Sequence, residues 1–312
     1  MDQLLADETQ RDTKSIQAIP PEATPSTAPP PRAAISPQSC ASCAAVAGSS
    51  DNGAANSPSY IYAIGNIEVR FPSAAVQKEF AQATGRGNTA GLTDRQALQS
   101  VLSKPDNRYL VRKACFVMTI EGLDTYILQP SDPVDFSRLV DAIRPNPSAL
   151  DLDVVIGTNV GIAPPETCNG LTVPVVRFDQ IYSFDRDSLI QSIPKPKDTA
   201  AEEFAVAANE LFDRVMQLAD NAGSTDEHRA LNYLVVRYPA IYAKAAQCMA
   251  QNSSLTAVDT QTSVLSGVRN IMELIFSYQN RSTDVVEKCF VRVDVTEEFP
   301  FLVTKLSPYY DR

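Results

Sequence analysis

Tyr60-Ile-Tyr-Ala-Ile-Gly-Asn-Ile-Glu-Val-Arg-Phe-Pro72 sets aromatic and β-branched residues at nearly alternate positions, then stops at a proline that has no N–H to give a ladder. It reads as a strand, and a folded region starts with it. Upstream the character is different. From Met1 to about Ser59 the chain is rich in Pro, Ala, Ser and Thr, with Pro20-Pro21, Pro25, Pro29-Pro30-Pro31 and Pro37, and shows no helical or strand period. Such a segment buries too little apolar area to offset its ordering entropy, so residues 1–59 are expected to be a disordered tail and 60–312 a single domain. Proline-rich stretches also serve as ligands for aromatic-lined grooves, the competing reading of the tail.

Downstream of Pro72, residues from Ser73 to about Thr84 read as a helix with Val76 and Phe80 on one side and Gly85-Arg86-Gly87 as its stop. Thr93-Asp94-Arg95-Gln96 has the form of a capping box and predicts a second helix through Ala97, Val101 and Leu102. Tyr109–Thr119 and Thr125–Leu128 flank the short connection Glu121-Gly122-Leu123-Asp124, which predicts a hairpin. Pro133 opens a helix carrying Phe136, Leu139, Val140 and Ile143. Asp153–Gly157 and Thr172–Phe178 read as strands around a Pro- and Gly-rich loop that holds Cys168.

After Pro194-Lys195-Pro196-Lys197 the pattern turns helical. Phe204, Ala208, Leu211, Val215 and Leu218 recur at spacings of four and three behind Thr199-x-x-Glu202, and Ser224-x-x-Glu227 is positioned to cap the next helix. Pro239 ends that one and suits the first turn of another. Ile271–Tyr278 and Val285–Val295 return to strand, with Val291, Val293 and Val295 expected on a core face and Arg292 and Asp294 on a wet one. Strands with helices, then helices from about 200 to 250, then strands, without regular βαβ alternation, make the fold class α+β: one mixed domain with antiparallel strands.

The 312 residues carry a formal charge of -10, and Lys and Arg never cluster into a basic run. Nucleic acids and anionic membranes bind through basic patches, so neither is an expected partner. No stretch approaches the roughly 18 apolar residues of a bilayer span, and Met1-Asp2-Gln3 begins no signal peptide. A cytoplasmic protein is expected. Its six cysteines (40, 43, 115, 168, 248, 289) are then read as thiols.

Residues in arrangements suited to catalysis are few. There is one histidine, His228, and no small-residue turn presenting a serine; Gly157-Thr158-Asn159 is the nearest approach to a subtilisin-type element. His228 sits in a helix's first turn, where a solvated or packed side chain is the plain reading. Gly85–Gly91 lacks the Gly-Lys-Ser/Thr of a phosphate loop. Glu297-Glu298 and Asp185-x-Asp187 read as surface charges. Cys40-Ala41-Ser42-Cys43 has the reach of two thiolates on one tetrahedral ion, so Cys40 and Cys43 are the candidate zinc ligands, with loop-borne Cys168 the one other cysteine placed to reach out. No other cofactor is expected. If the chain has an interface, the aromatic residues Tyr182, Phe184, Tyr309 and Tyr310 are the candidates for its centre, with core packing the competing reading of Phe184.

Several whole phrases are more distinctive. They are Tyr60–Pro72, Ala163-Pro-Pro-Glu-Thr-Cys-Asn-Gly-Leu171, Phe178-Asp-Gln-Ile-Tyr-Ser-Phe-Asp-Arg186, Ala222-Gly-Ser-Thr-Asp-Glu-His-Arg-Ala-Leu-Asn-Tyr233 and Val293–Arg312. Together they resemble the C-terminal domain of the PatA/PatG-type cyanobactin maturation proteases, over about Tyr60 to Arg312. In that family a subtilisin-like domain cleaves or macrocyclises a ribosomally made precursor, and the C-terminal domain has no assigned chemistry. The resemblance implies a free-standing, non-catalytic accessory domain that associates with itself, with a pathway protease or with the precursor peptide. The competing expectation is a cryptic peptide-modifying enzyme, metal-assisted or thiol-dependent through Cys40 and Cys43.

Overall fold

The computed structural model describes residues 59–85, 91–195, 200–217 and 220–310. Strand β1 (Tyr60–Arg70) is followed by helices α1 (Ala74–Thr84), α2 (Asp94–Leu102) and α3 (Arg108–Lys113). Then come β2 (Cys115–Ile120), β3 (Leu123–Pro130), α4 (Phe136–Ala142), β4 (Asp151–Ile162) and β5 (Pro174–Asp185). Helices α5 (Arg186–Ser192), α6 (Ala201–Met216), α7 (Asp226–Arg237) and α8 (Ala240–Ala250) precede four strands: β6 (Ser253–Thr262), β7 (Ile271–Asn280), β8 (Val286–Asp294) and β9 (Phe301–Pro308). The class is α+β, as the element order predicts.

The first five strands close into a barrel in the order β1-β2-β3-β5-β4, with every contact antiparallel except the β3–β5 pair. With α4 lying between β3 and β4, this is the plan of an OB barrel. Alternation along β1 explains its near-complete burial. Ile61, Ala63 and Ile67 point into the barrel beside Phe116, Met118 and Phe178, while Tyr62 and Ile64 point outward into a second cluster. That second cluster joins the barrel wall to α6, α7 and α8 and to Leu274, Phe276, Val291 and Val293 of the antiparallel sheet β6-β7-β8-β9.

Backbone and side-chain hydrogen bonds latch the barrel to the helices around Tyr62. Tyr62 N donates to Gly223 O at 2.9 Å, and Asn232 Nδ2 donates to Tyr62 O at 2.8 Å. Gly223 has φ +71°, and a Cβ there would stand 2.2 Å from Tyr62 O, so both conformation and space require glycine. Arg229 of α7, 3% exposed, donates to the carbonyls of Val295 (2.7 Å), Glu297 and Glu298 and lies over the Tyr60 ring. Phrases far apart in sequence therefore meet here.

Several expectations are corrected. Tyr109–Lys113 is helix, not strand: Leu110 and Val111 pack against Leu102 in the barrel's cluster, and so short an apolar run carries no period of its own. Cys115 and Cys168 are not thiols but a disulfide. Alternation along β2 turns Phe116 inward and Cys115 outward, under the 163–173 segment, where Cys168 meets it. Asp294 is not wet. It is fully buried, paired with Arg269 and capping Thr296 N, and Arg292 is paired with Glu273. Helix α7 is capped by Thr225, one residue after the serine expected. Thr199, Leu218, Arg86, Gly87 and the whole of residues 1–58 lie outside the described residues, so the tail, Cys40 and Cys43 are not placed.

Candidate functional site

The capping box of α2 is formed as its sequence predicts, Thr93 accepting from Gln96 N and Gln96 returning to Thr93 N. Pro105 then starts a single 3-10 turn that leads directly into α3. On the far side, Asp132 caps a 3-10 turn at Pro133 that leads into α4. Between these two helical corners lies an open cleft of ≈ 440 Å³, floored by buried Leu102, Val111 and Val140 and walled by Phe136 and Val134. A further ≈ 340 Å³ continues it along the start of β2 and the end of β3 to Thr167, sharing Arg112, Pro133 and Phe136. Both volumes are those of ligand sites.

The rim is charged. Lys104, Arg108 and Arg112 line the α3 side and make no ion pair among the described residues. Elsewhere Arg70, Arg138, Arg144, Arg186, Arg229, Arg269 and Arg292 are paired with carboxylates, whereas Arg177, Arg214 and Arg281 likewise make no ion pair among the described residues. Asp141, on the α4 side, is the acid in the first part of the cleft. OB barrels bind ligands on the β2–β3 face and the loops joining β1 to β2 and β4 to β5. In this chain the outer β2–β3 face (Val117, Ile127) is covered by Ala163, Leu171 and Val173, held there by the Cys115–Cys168 bond. The cleft opens beside that cover, walled by the helices of the β1–β2 connection.

The residues singled out by sequence are scattered over the fold. Tyr182 is half-buried on β5, with Arg237 stacked on its ring and bonded to its hydroxyl at 2.7 Å. Phe184 packs against the shared core. Tyr309 meets Phe290 edge-on, and Tyr310 is 80% exposed beside it in sequence. None of these four lines the cleft. His228 lies in the first turn of α7; burial holds its pKa below the usual value, and its Nδ1 is buried without a hydrogen-bond partner. Cys248 and Cys289 are buried thiols, and burial pushes Cys289 up to about 12, far from a reactive thiolate. Asp185 caps α5 through Ser188 N. Asp153, buried, is held by Ile67 N, Ser183 Oγ and Arg144, a structural set. No group of three metal-ligating side chains occurs among the described residues, and no described helix is long and apolar enough to cross a membrane.

Glu298 departs from its reading as a plain surface charge. Burial, then the hydrogen bond and charge of Asp179 on β5, push its carboxyl up to about 7, against the pull of Arg229. Because the folded state binds this proton more tightly than the unfolded chain does, its contribution to stability declines as pH rises from the ordinary carboxylate range through about 7. His228 acts in the opposite sense, but only below about 6.5, its ordinary value. The urea midpoint is therefore expected to be lower at pH 8 than at about pH 6.5, and Glu298→Gln should reduce that difference. An undiminished difference in the variant would assign the effect to another group.

Compared with known proteins, residues 198–309 match the family described as PatG C-terminal. A solved structure described as the PatG domain of unknown function superposes with a TM-score of 0.65 at 18% identity, covering 80% of this chain and 98% of that one. No curated protein matches the chain.

Proposed function

We propose that this chain, which carries a PatG-type C-terminal domain, is a non-catalytic accessory module that binds a partner during maturation of ribosomally made cyclic peptides. The observation that carries the reading is the cleft between α3 and α4: an apolar floor under three cations that make no ion pair among the described residues, beside the ligand-binding face of an OB-type barrel. OB-type barrels host many functions, so the barrel alone names no ligand. A PatG-type fold supports the pathway, and the cleft supports binding. Zinc at Cys40 and Cys43, and association with a second copy or a pathway protease, belong to the same proposal as its secondary parts.

Native mass spectrometry of the full chain, alone and with a cyanobactin-type precursor peptide, tests it. Peptide retained with unchanged mass is the expected result. A changed peptide mass that disappears in Cys40→Ser/Cys43→Ser would replace this reading with that of a metal-assisted or thiol-dependent enzyme.

A further inference from the structure

We propose that the α3–α4 cleft is a docking site for an extended peptide segment in which acidic and apolar residues alternate. This deepens the binding reading above and rests on it. Arg108 and Arg112 are four residues apart on α3, so they stand about 6 Å apart along the helix axis. In an extended chain, residues i and i+2 lie on one side about 6.6 Å apart. Two carboxylates at i and i+2 therefore match the two guanidinium groups, and Lys104 extends the row towards α2.

The residue between the acids points the other way. On that side are Phe136 and Val134, with Leu102 and Val111 beneath. An apolar side chain at i+1 would cover Val134, now 76% exposed. Asp141 on the α4 wall disfavours a third carboxylate there, which fixes the acids on the α3 side. The cleft's two parts share Arg112, Pro133 and Phe136, so it is elongated, as a peptide requires and a compact small molecule does not. A nucleic-acid strand fits less well. Phe136 is the one aromatic ring in the first part of the cleft, whereas strand-binding grooves stack successive bases on several, and the chain's net charge of -10 opposes a polyphosphate.

The experiment is fluorescence anisotropy on the full chain with a labelled Glu-Leu-Glu-Leu-Glu probe, its Gln-for-Glu and Lys-for-Glu counterparts, and a labelled ten-residue oligothymidine. The acidic probe is expected to bind, at least tenfold more tightly than the neutral one, and several-fold more weakly at 300 mM salt than at 50 mM. Arg108→Glu/Arg112→Glu, at exposed positions, should cost at least tenfold, and Val134→Asp, on the opposite wall, should also weaken binding. Circular dichroism of each variant checks that it is folded. Equal binding of the neutral probe, tighter binding of the oligonucleotide, or no loss in the charge-reversed variant overturns the proposal. So does a self-association of the unliganded chain that the charge reversal abolishes, which would put a second copy in the cleft. If the probes fail while precursor peptide is retained unchanged in the mass spectrum, this inference fails and the binding reading stands. A changed peptide mass fails the binding reading itself.

Discussion

Replacing Cys115 and Cys168 by alanine is expected to lower the unfolding free energy by about 4 kcal/mol, the chain-entropy value for a loop of this length. The bond joins residues 53 apart in sequence. It closes over β2, β3, α4 and the whole of β4, so the cross-link restrains much of the barrel in the unfolded chain. In the folded state it also holds the 163–173 segment against Val117, Ile127 and Val175. For a domain of this size the loss amounts to a fall of Tm on the order of 10 °C. Reductant should lower the Tm of the unaltered protein towards that of the double variant and leave the variant where it is. A variant as stable as the parent, or one equally sensitive to reductant, would show that the bond does not constrain the fold. Cys115 and Thr167 also line the cleft's second part, so freeing this segment loosens one end of the proposed peptide site.

Arg229→Met is expected to cost about 3 kcal/mol. Its side chain is 4% exposed and gathers the carbonyls of Val295, Glu297 and Glu298, with Asp226 at 3.3 Å as its counter-charge. Methionine fills comparable space but leaves these acceptors, Val295 O above all, without their donor, and an unsatisfied buried polar group costs about 1–3 kcal/mol. The loop after β8 would lose its anchor to α7. Lysine carries the charge but not the planar fork, so Arg229→Lys should recover less than half of the loss. Urea unfolding of the two variants decides it, with Arg214→Met, at an exposed arginine bonded to Thr256 O, as the control expected to change little. Full recovery by lysine would mean that charge alone, and not the fork of donors, holds the loop.

The sequence was legible where one residue type does one local job. Thr93 and Gln96 form the expected box, Pro239 starts α8, and Val291, Val293 and Val295 face the core. It was opaque where tertiary partners decide. Ser253–Thr262 is strand although seven of its ten residues are polar, because its backbone pairs along β7 and only Leu255 and Val258 need the core. Phe301–Pro308 is strand through its pairing with β8. Nothing in the spacing of Cys115 and Cys168 tells that alternation in β2 and the return of the 163–173 segment bring them together. The cleft was missed for a different reason. Lys104, Arg108 and Arg112 look like ordinary scattered cations, and what marks them is that the fold gathers them on one rim of an apolar cleft with no ion pair among the described residues, which no linear pattern records.

A closed barrel has no strand without neighbours on both sides, but a four-stranded sheet leaves two, β6 and β9, each with an outer row of backbone amides and carbonyls that no strand of this sheet pairs. Such rows are the templates on which chains stack into fibrils. β6 defends its row with composition, its sequence Ser-Ser-Leu-Thr-Ala-Val-Asp-Thr-Gln-Thr offering few apolar side chains. β9 is more exposed to the hazard, since Phe301 and Val303 point to solvent, and its safeguards are Lys305 in the same row and Pro308 at its end. Lys305 thus acts as a gatekeeper of colloidal behaviour, a task quite separate from binding or folding.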